Sequence, residues 1–192
     1  MAIVNSYTRR MPTPDRTSLD AILLAARELL ETDGPAGLTM AAVAAQVGVR
    51  APSLYKRVEN REALLRSVAE ATLTDLAARL DGAGSAREVL DTFRAFGHER
   101  PAAFQLVMTP GPGVPTARRE FGAAASAAAL RVGVELVGPA RALDAARTLT
   151  AWVAGFVIME LNGGFQLGGD VDEAWDFGAG RVLAALAAPP AV

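Results

Sequence analysis

Residues 39–64 read TMAAVAAQVGVRAPSLYKRVENREAL, and this stretch decides the fold. Thr39 is placed to cap a short helix, because its hydroxyl can accept a backbone N–H that the first turn leaves unpaired. Met40, Val43, Ala44 and Val47 follow at helical spacing and give that helix one apolar face. Gly48 stands where the helix must end in a left-handed conformation, which costs glycine little. Val49 can tuck beneath the turn. Pro52 suits the first position of a second helix, since its missing N–H would have no intrahelical partner there. Leu54 and Val58 hold this second helix down, leaving Ser53, Tyr55, Lys56 and Arg57 to point elsewhere. Asn60 caps the helix after it. The order is that of a helix-turn-helix whose second helix can enter a DNA major groove.

Working outward, the spacing of Leu19, Ile22, Leu23, Ala26, Leu29 and Leu30 predicts a first helix over residues 18–32, stopped by Asp33–Gly34–Pro35. Residues 1–16 read as a flexible arm carrying the pair Arg9 and Arg10. A fourth helix is expected from Asn60 to about Leu80, carried inward by Leu64, Leu65, Val68 and Leu76. The run DGAGS at 81–85 breaks the chain. Further helices are expected over 86–97, 101–108, 116–136, 139–161 and 171–187, with a loop at 109–113. With no strand pattern and no tandem repeat, the fold class is all-α. The division is an arm at 1–16, a three-helix helix-turn-helix domain at 17–62 and a larger helical domain at 63–192.

Composition is compatible with this. The hydrophobic fraction of 51% is ample for a core, and much of it is alanine, which favours close helix packing. There is no cysteine, so a disulfide framework and a thiolate metal site are both excluded. The opening residues lack the apolar core of a signal peptide, and no run is read as a membrane span. The expectation is a soluble, cytoplasmic protein with no membrane partner. The net charge of −2 hides an asymmetry. Residues 1–67 carry about +2 and the remainder about −4, and the basic end coincides with the helix-turn-helix, where phosphate contacts act over a short screening length.

The order Thr39, Val43–Ala44, Gly48–Val49, Leu54–Tyr55, Val58, Asn60–Arg61–Glu62 and Leu64 resembles the N-terminal domain of the TetR family of bacterial repressors. The run Pro52–Ser53–Leu54–Tyr55 is similar to the branch that includes the tetracycline repressor. The resemblance covers residues 16–65 most specifically. It implies that Tyr55 and Arg57 press on phosphates, Arg57 occupying a position where the family commonly has histidine. Arg61 matches a basic residue that meets phosphate at the start of the fourth helix, and Thr39 touches the backbone as well as capping. Such contacts give register, not sequence choice. Choice is expected from Arg50, Ala51, Pro52, Ser53 and Lys56, with Arg50 able to hold guanine O6 and N7 or, equally, to meet a phosphate or stand as a surface arginine. Val58 departs from the phenylalanine of many relatives, which leaves the operator sequence open.

A regulator of this kind binds a small-molecule effector in its C-terminal part. The large side chains Phe93, Phe96, Phe104, Met108, Phe121, Trp152, Phe156 and Met159 are candidates, each also explicable as ordinary core filling. His98, Gln105, Glu160 and Asn162 are the polar candidates. Glu160 sits in the apolar stretch that begins at Trp152, so its carboxylate must be paired, exposed or hydrogen-bonded to ligand. The segments 152–165 and 172–186 resemble the last two helices of such regulators, which pair across a two-fold axis. A homodimer is therefore expected, and with it a palindromic operator in double-stranded DNA.

An enzyme is not expected. There is no nucleophile elbow, no glycine-rich phosphate loop after a strand and no metal-ligand spacing, so no catalytic residue, metal or cofactor is assigned. The alternative from another class is a helical ligand- or protein-binding module that no longer engages DNA. The intact Tyr55–Lys56–Arg57 run weighs against it.

Overall fold

A computed structural model describes residues 18–111 and 114–188, which form ten helices with no strand among them. The arm expected at residues 1–16, with Arg9 and Arg10, lies outside the described residues, as do residues 112 and 113 of the expected loop.

Helix α1 (Leu19–Gly37) starts where the Ser18 hydroxyl accepts the Ala21 N–H at 3.2 Å. It buries Ile22, Ala25, Ala26 and Leu30. The expected stop appears as a break at Gly34, whose φ of 68° is a left-handed value, and Pro35 begins one last turn beyond it. Helices α2 (Met40–Val47) and α3 (Ala51–Leu54) follow, then the long α4 (Arg61–Asp81). Asn60 caps α4 by accepting the Ala63 N–H at 2.8 Å. Two apolar cores result, and α4 runs through both. Its first turns give Leu64, Leu65 and Val68 to the core shared with α1–α3, while Leu73, Leu76 and Leu80 enter the second.

The second core is enclosed by α5 (Ala86–Glu99), α6 (Pro101–Met108), α7 (Arg119–Ala125), α8 (Ala127–Val137), α9 (Ala142–Leu161) and α10 (Val171–Ala187). The helix expected over 116–136 is two helices instead. Arg118 is extended at ψ 148°, which delays the start. The two helices meet at Ser126, where the backbone stays near-helical at φ −86° and ψ −7° and the hydroxyl donates to the Gly122 carbonyl at 2.9 Å. Helices α8 and α9 meet so closely that a Cβ on Gly133 would lie 2.4 Å from the Ala142 carbonyl oxygen. The expectation that no run reaches the length of a membrane span is corrected here, on length and composition alone. Helix α9 is, by length and composition, apolar enough to cross a membrane. Alanine and threonine between its larger residues hide this in a residue-by-residue reading, and Leu149, Val153 and Val157 spend its inner face on the second core.

Three polar fasteners join the cores. The Glu31 carboxylate of α1 accepts the N–H groups of Ala102 and Ala103, at 2.9 and 3.0 Å, and so caps α6. Asp75 of α4 pairs with Arg27 of α1 at 2.9 Å and with Arg79 at 3.1 Å, and Arg79 reaches Glu99 of α5 at 2.6 Å. Glu70 of α4 accepts both Nε and Nη2 of Arg118, at 2.9 and 3.0 Å.

The Arg118 guanidinium holds the Glu70 carboxyl below the usual carboxylate range, outweighing the opposite effect of burial. A carboxyl depressed in the folded state stabilises above its unfolded value of about 4.3, and that contribution is lost as pH falls through the folded value. The melting-temperature gap between the parent and Arg118→Met is therefore expected to narrow on going from about pH 6 to about pH 3. Thermal circular dichroism would show it, and a gap independent of pH would refute the coupling.

Candidate DNA interface and effector cavity

Thr39 accepts the Ala42 N–H at 3.1 Å, so the hydroxyl caps α2 from an exposed position. At the other end Gly48, with φ 74°, lets its own N–H and that of Val49 turn back to the carbonyls of Ala45 and Ala44, at 3.1 and 2.9 Å. Arg50 forms the exposed entrance to α3. After Leu54 the chain stays tightly wound, since the N–H groups of Arg57 and Val58 both reach the Leu54 carbonyl. Leu54 and Val58 are buried at 0% and 4% exposure, whereas Tyr55 is 54% exposed. Burying two side chains four residues apart orients the whole turn. Arg50, Pro52, Tyr55, Lys56 and Arg57 are consequently solvent-exposed together, with Ala51 and Ser53 half-buried at the helix start.

Arg61 is used differently from its neighbours. Its Nε donates to the Leu38 carbonyl at 2.8 Å, and its Nη2 donates to the Pro35 carbonyl. The side chain thus fastens α4 to the α1–α2 link, a role invisible in sequence because backbone acceptors have no residue signature. Arg61→Gln is expected to lower the melting temperature while changing the slope of log affinity against log salt by less than the roughly 0.9 per bound subunit that one phosphate contact each would carry. A slope shallower by that whole amount, with melting unchanged, would assign Arg61 to DNA instead.

An apolar cavity of about 220 Å³ lies among α4–α9. Of the effector candidates, Phe93 and Met108 line it. Phe96 and Phe104 are fully buried in the same core, Phe104 edge-on to Phe93 at 5.5 Å. Phe121 instead carries the Arg118 guanidinium over its ring at 5.0 Å. Trp152 stacks on Trp175 at 4.9 Å, Phe156 meets the same indole edge-on, and Met159 is exposed. Glu160 and His98 belong to a separate charged cluster where α5 meets α9 and α10. The Glu160 side chain, 6% exposed, accepts Arg94 Nε at 3.1 Å and lies 3.1 Å from His98 Nε2. Arg94 also pairs with Asp172 at 2.6 Å and sits over the Trp175 ring. Gln105 reaches Asn162 at 3.4 Å.

The expected effector set is therefore divided between the cavity, the core and this cluster. Leu73, Leu76, Val89, Leu90, Leu149 and Val153 form much of the cavity wall, and nothing in the sequence marks them out. Aliphatic residues facing a void share the helical spacing of those facing a packed neighbour. Among the described residues Ser126 and Thr150 are the only hydroxyls in that wall, and hydroxyls at apolar positions are the one signal the sequence offers for it.

This helix-turn-helix, set on a larger helical body, defines a class of DNA-binding regulator. Residues 22–68 match the family described as bacterial regulatory proteins, tetR family, and residues 86–182 match the tetracyclin repressor-like C-terminal domain. An uncharacterised HTH-type transcriptional regulator of Mycobacterium tuberculosis is 31% identical over 160 residues, covering 78% of this chain and 73% of that one. The class C tetracycline repressor protein of Escherichia coli is 44% identical over 55 residues, 29% of this chain and 25% of that one. Among solved structures, a TetR variant of Acinetobacter baumannii in complex with minocycline superposes with a TM-score of 0.64 at 25% identity, covering 88% of this chain and 95% of that one. The chain belongs to the TetR family of transcriptional regulators.

Proposed function

We propose that this regulator is a cytoplasmic homodimeric repressor, released from a palindromic operator by a small molecule held in the apolar cavity. The observation that carries the DNA reading is the exposed set Arg50, Pro52, Tyr55, Lys56 and Arg57 around the buried anchors Leu54 and Val58. Tyr55 and Arg57 supply phosphate contacts, Thr39 adds one from α2, and Arg50 and Lys56 read base edges beside Ala51, Pro52 and Ser53. Residues 17–62 read DNA and residues 63–192 bind effector and partner subunit.

Helices α9 and α10 support the dimer. They leave Leu143, Met159 and Phe177 exposed, and a Cβ on Gly155 or Gly180 would meet nothing. One short recognition helix also reads too few bases for selectivity, which a symmetric pair remedies. Helices α4 and α6 support the coupling. Val107 and Met108 line the cavity at the end of α6, whose beginning is capped by Glu31 of α1. A ligand preferring one placement of α6 biases the spacing of the two DNA-reading units, provided its affinity differs between the two states.

The test is fluorescence anisotropy with DNA from upstream of the protein's own gene, scrambled competitor and a salt series. Salt-sensitive binding that survives competitor, at two subunits per site, is the expected result. Absence of binding at low salt would favour a helical module that no longer engages DNA.

A further inference from the structure

We propose that the effector is an amphiphilic monoanion, with an apolar body in the α4–α9 cavity and a carboxylate at Arg119. This rests on the reading of that cavity as the effector site. Among the described residues no charged side chain lines the cavity, and its wall offers the hydroxyls of Ser126 and Thr150. Ser126 already donates to the Gly122 carbonyl. A charged group drawn into such a wall would lose its hydration without a partner, so the enclosed part of the ligand is uncharged. At about 220 Å³ the space is half as large again as the roughly 150 Å³ void that accepts benzene, enough for a substituted ring or a medium-length chain.

The cavity does not end blindly. Leu73, Val107, Gly122 and Ser126 also line an adjoining, more open groove of about 430 Å³ against the start of α7. Among the described residues the charged side chains of that groove are Arg118 and Arg119, with no acid lining it. Arg118 is committed to Glu70. Arg119 has no acidic partner among the described residues, so it is the cation left for an anionic head. A molecule of four fused, heavily oxygenated rings such as minocycline would set many polar groups against a wall that cannot answer them. An apolar body with one terminal carboxylate matches both spaces at once.

The experiment is calorimetric titration of the full chain with three probes sharing one chain length: sodium octanoate, 1-octanol and octylamine. Octanoate is expected to bind at least tenfold more tightly than octanol, and octylamine most weakly. Arg119→Gln, a surface change, should erase the advantage of octanoate and leave octanol binding as it was. Ala129→Leu, which fills the cavity, should weaken both, with circular dichroism verifying the fold. Octylamine binding as tightly as octanoate, no binding by any probe, or an octanoate affinity untouched by Arg119→Gln would each overturn the inference. Adding operator DNA separates the two readings. Octanoate that binds as stated yet fails to release DNA supports the ligand class and defeats ligand-driven release.

Discussion

Replacing Tyr55 and Arg57 together by alanine is expected to weaken operator binding about a thousandfold, with helicity and oligomeric state unchanged. Both side chains are exposed beside Leu54 and Val58, so truncation strips the groups proposed to meet phosphate and keeps the two buried anchors of the turn. Each subunit would lose two hydrogen bonds to charged phosphate and the dimer four. At a conservative ~1 kcal/mol each, below the 1.5–3 usual for a charged partner, the loss is about 4 kcal/mol. With tenfold per 1.4 kcal/mol, that is close to three decades. The loss should be nearly independent of operator sequence, and the salt dependence should become shallower, because phosphate contacts position the protein and release counterions. Anisotropy titrations of parent and double variant at several salt concentrations would measure both. A double variant binding at parental affinity would show that α3 is not the element facing DNA.

What the sequence makes legible follows from which interactions are local. Caps and turns are written in one or two residues, so Thr39 at α2, Gly48 after it and Asn60 at α4 are readable one by one. The pair Leu54 and Val58 works the same way, being four residues apart on a single turn. The late start of α7 is not readable, because it depends on Arg118 being held extended by Glu70, which lies 48 residues away. Arg61 escapes for a related reason, since its acceptors are carbonyls. The effector site is the least legible part. Large aromatics draw attention in an alanine-rich region, yet Trp152 and Phe156 pack around Trp175 while aliphatic side chains surround the void. The need of Glu160 for a partner is plain from its apolar neighbours. The partner, Arg94, lies 66 residues away on another helix.

Arg94→Met is expected to destabilise the fold by about 3 kcal/mol, because removing one member of a buried pair leaves the other charge without compensation. Glu160 has only 6% of its side chain exposed, and without Arg94 it would keep a single contact, to His98 Nε2 at 3.1 Å. The same guanidinium reaches Asp172 at the start of α10 and lies 5.1 Å from the Trp175 ring centroid, so methionine also surrenders the tie between α5 and the last helix. For a chain of this length the cost corresponds to a melting shift of roughly 6–12 °C. The double variant Arg94→Met with Glu160→Met should recover most of it, since an apolar pair of similar bulk often replaces a buried ion pair without loss. Thermal denaturation of both single variants and the double variant closes the cycle. A double variant as unstable as Arg94→Met alone would place the loss in the Asp172 and Trp175 contacts instead. In that case α10 would be expected to detach first, and because α10 belongs to the face proposed for pairing, the mass of the assembly would fall towards that of one subunit before helicity does.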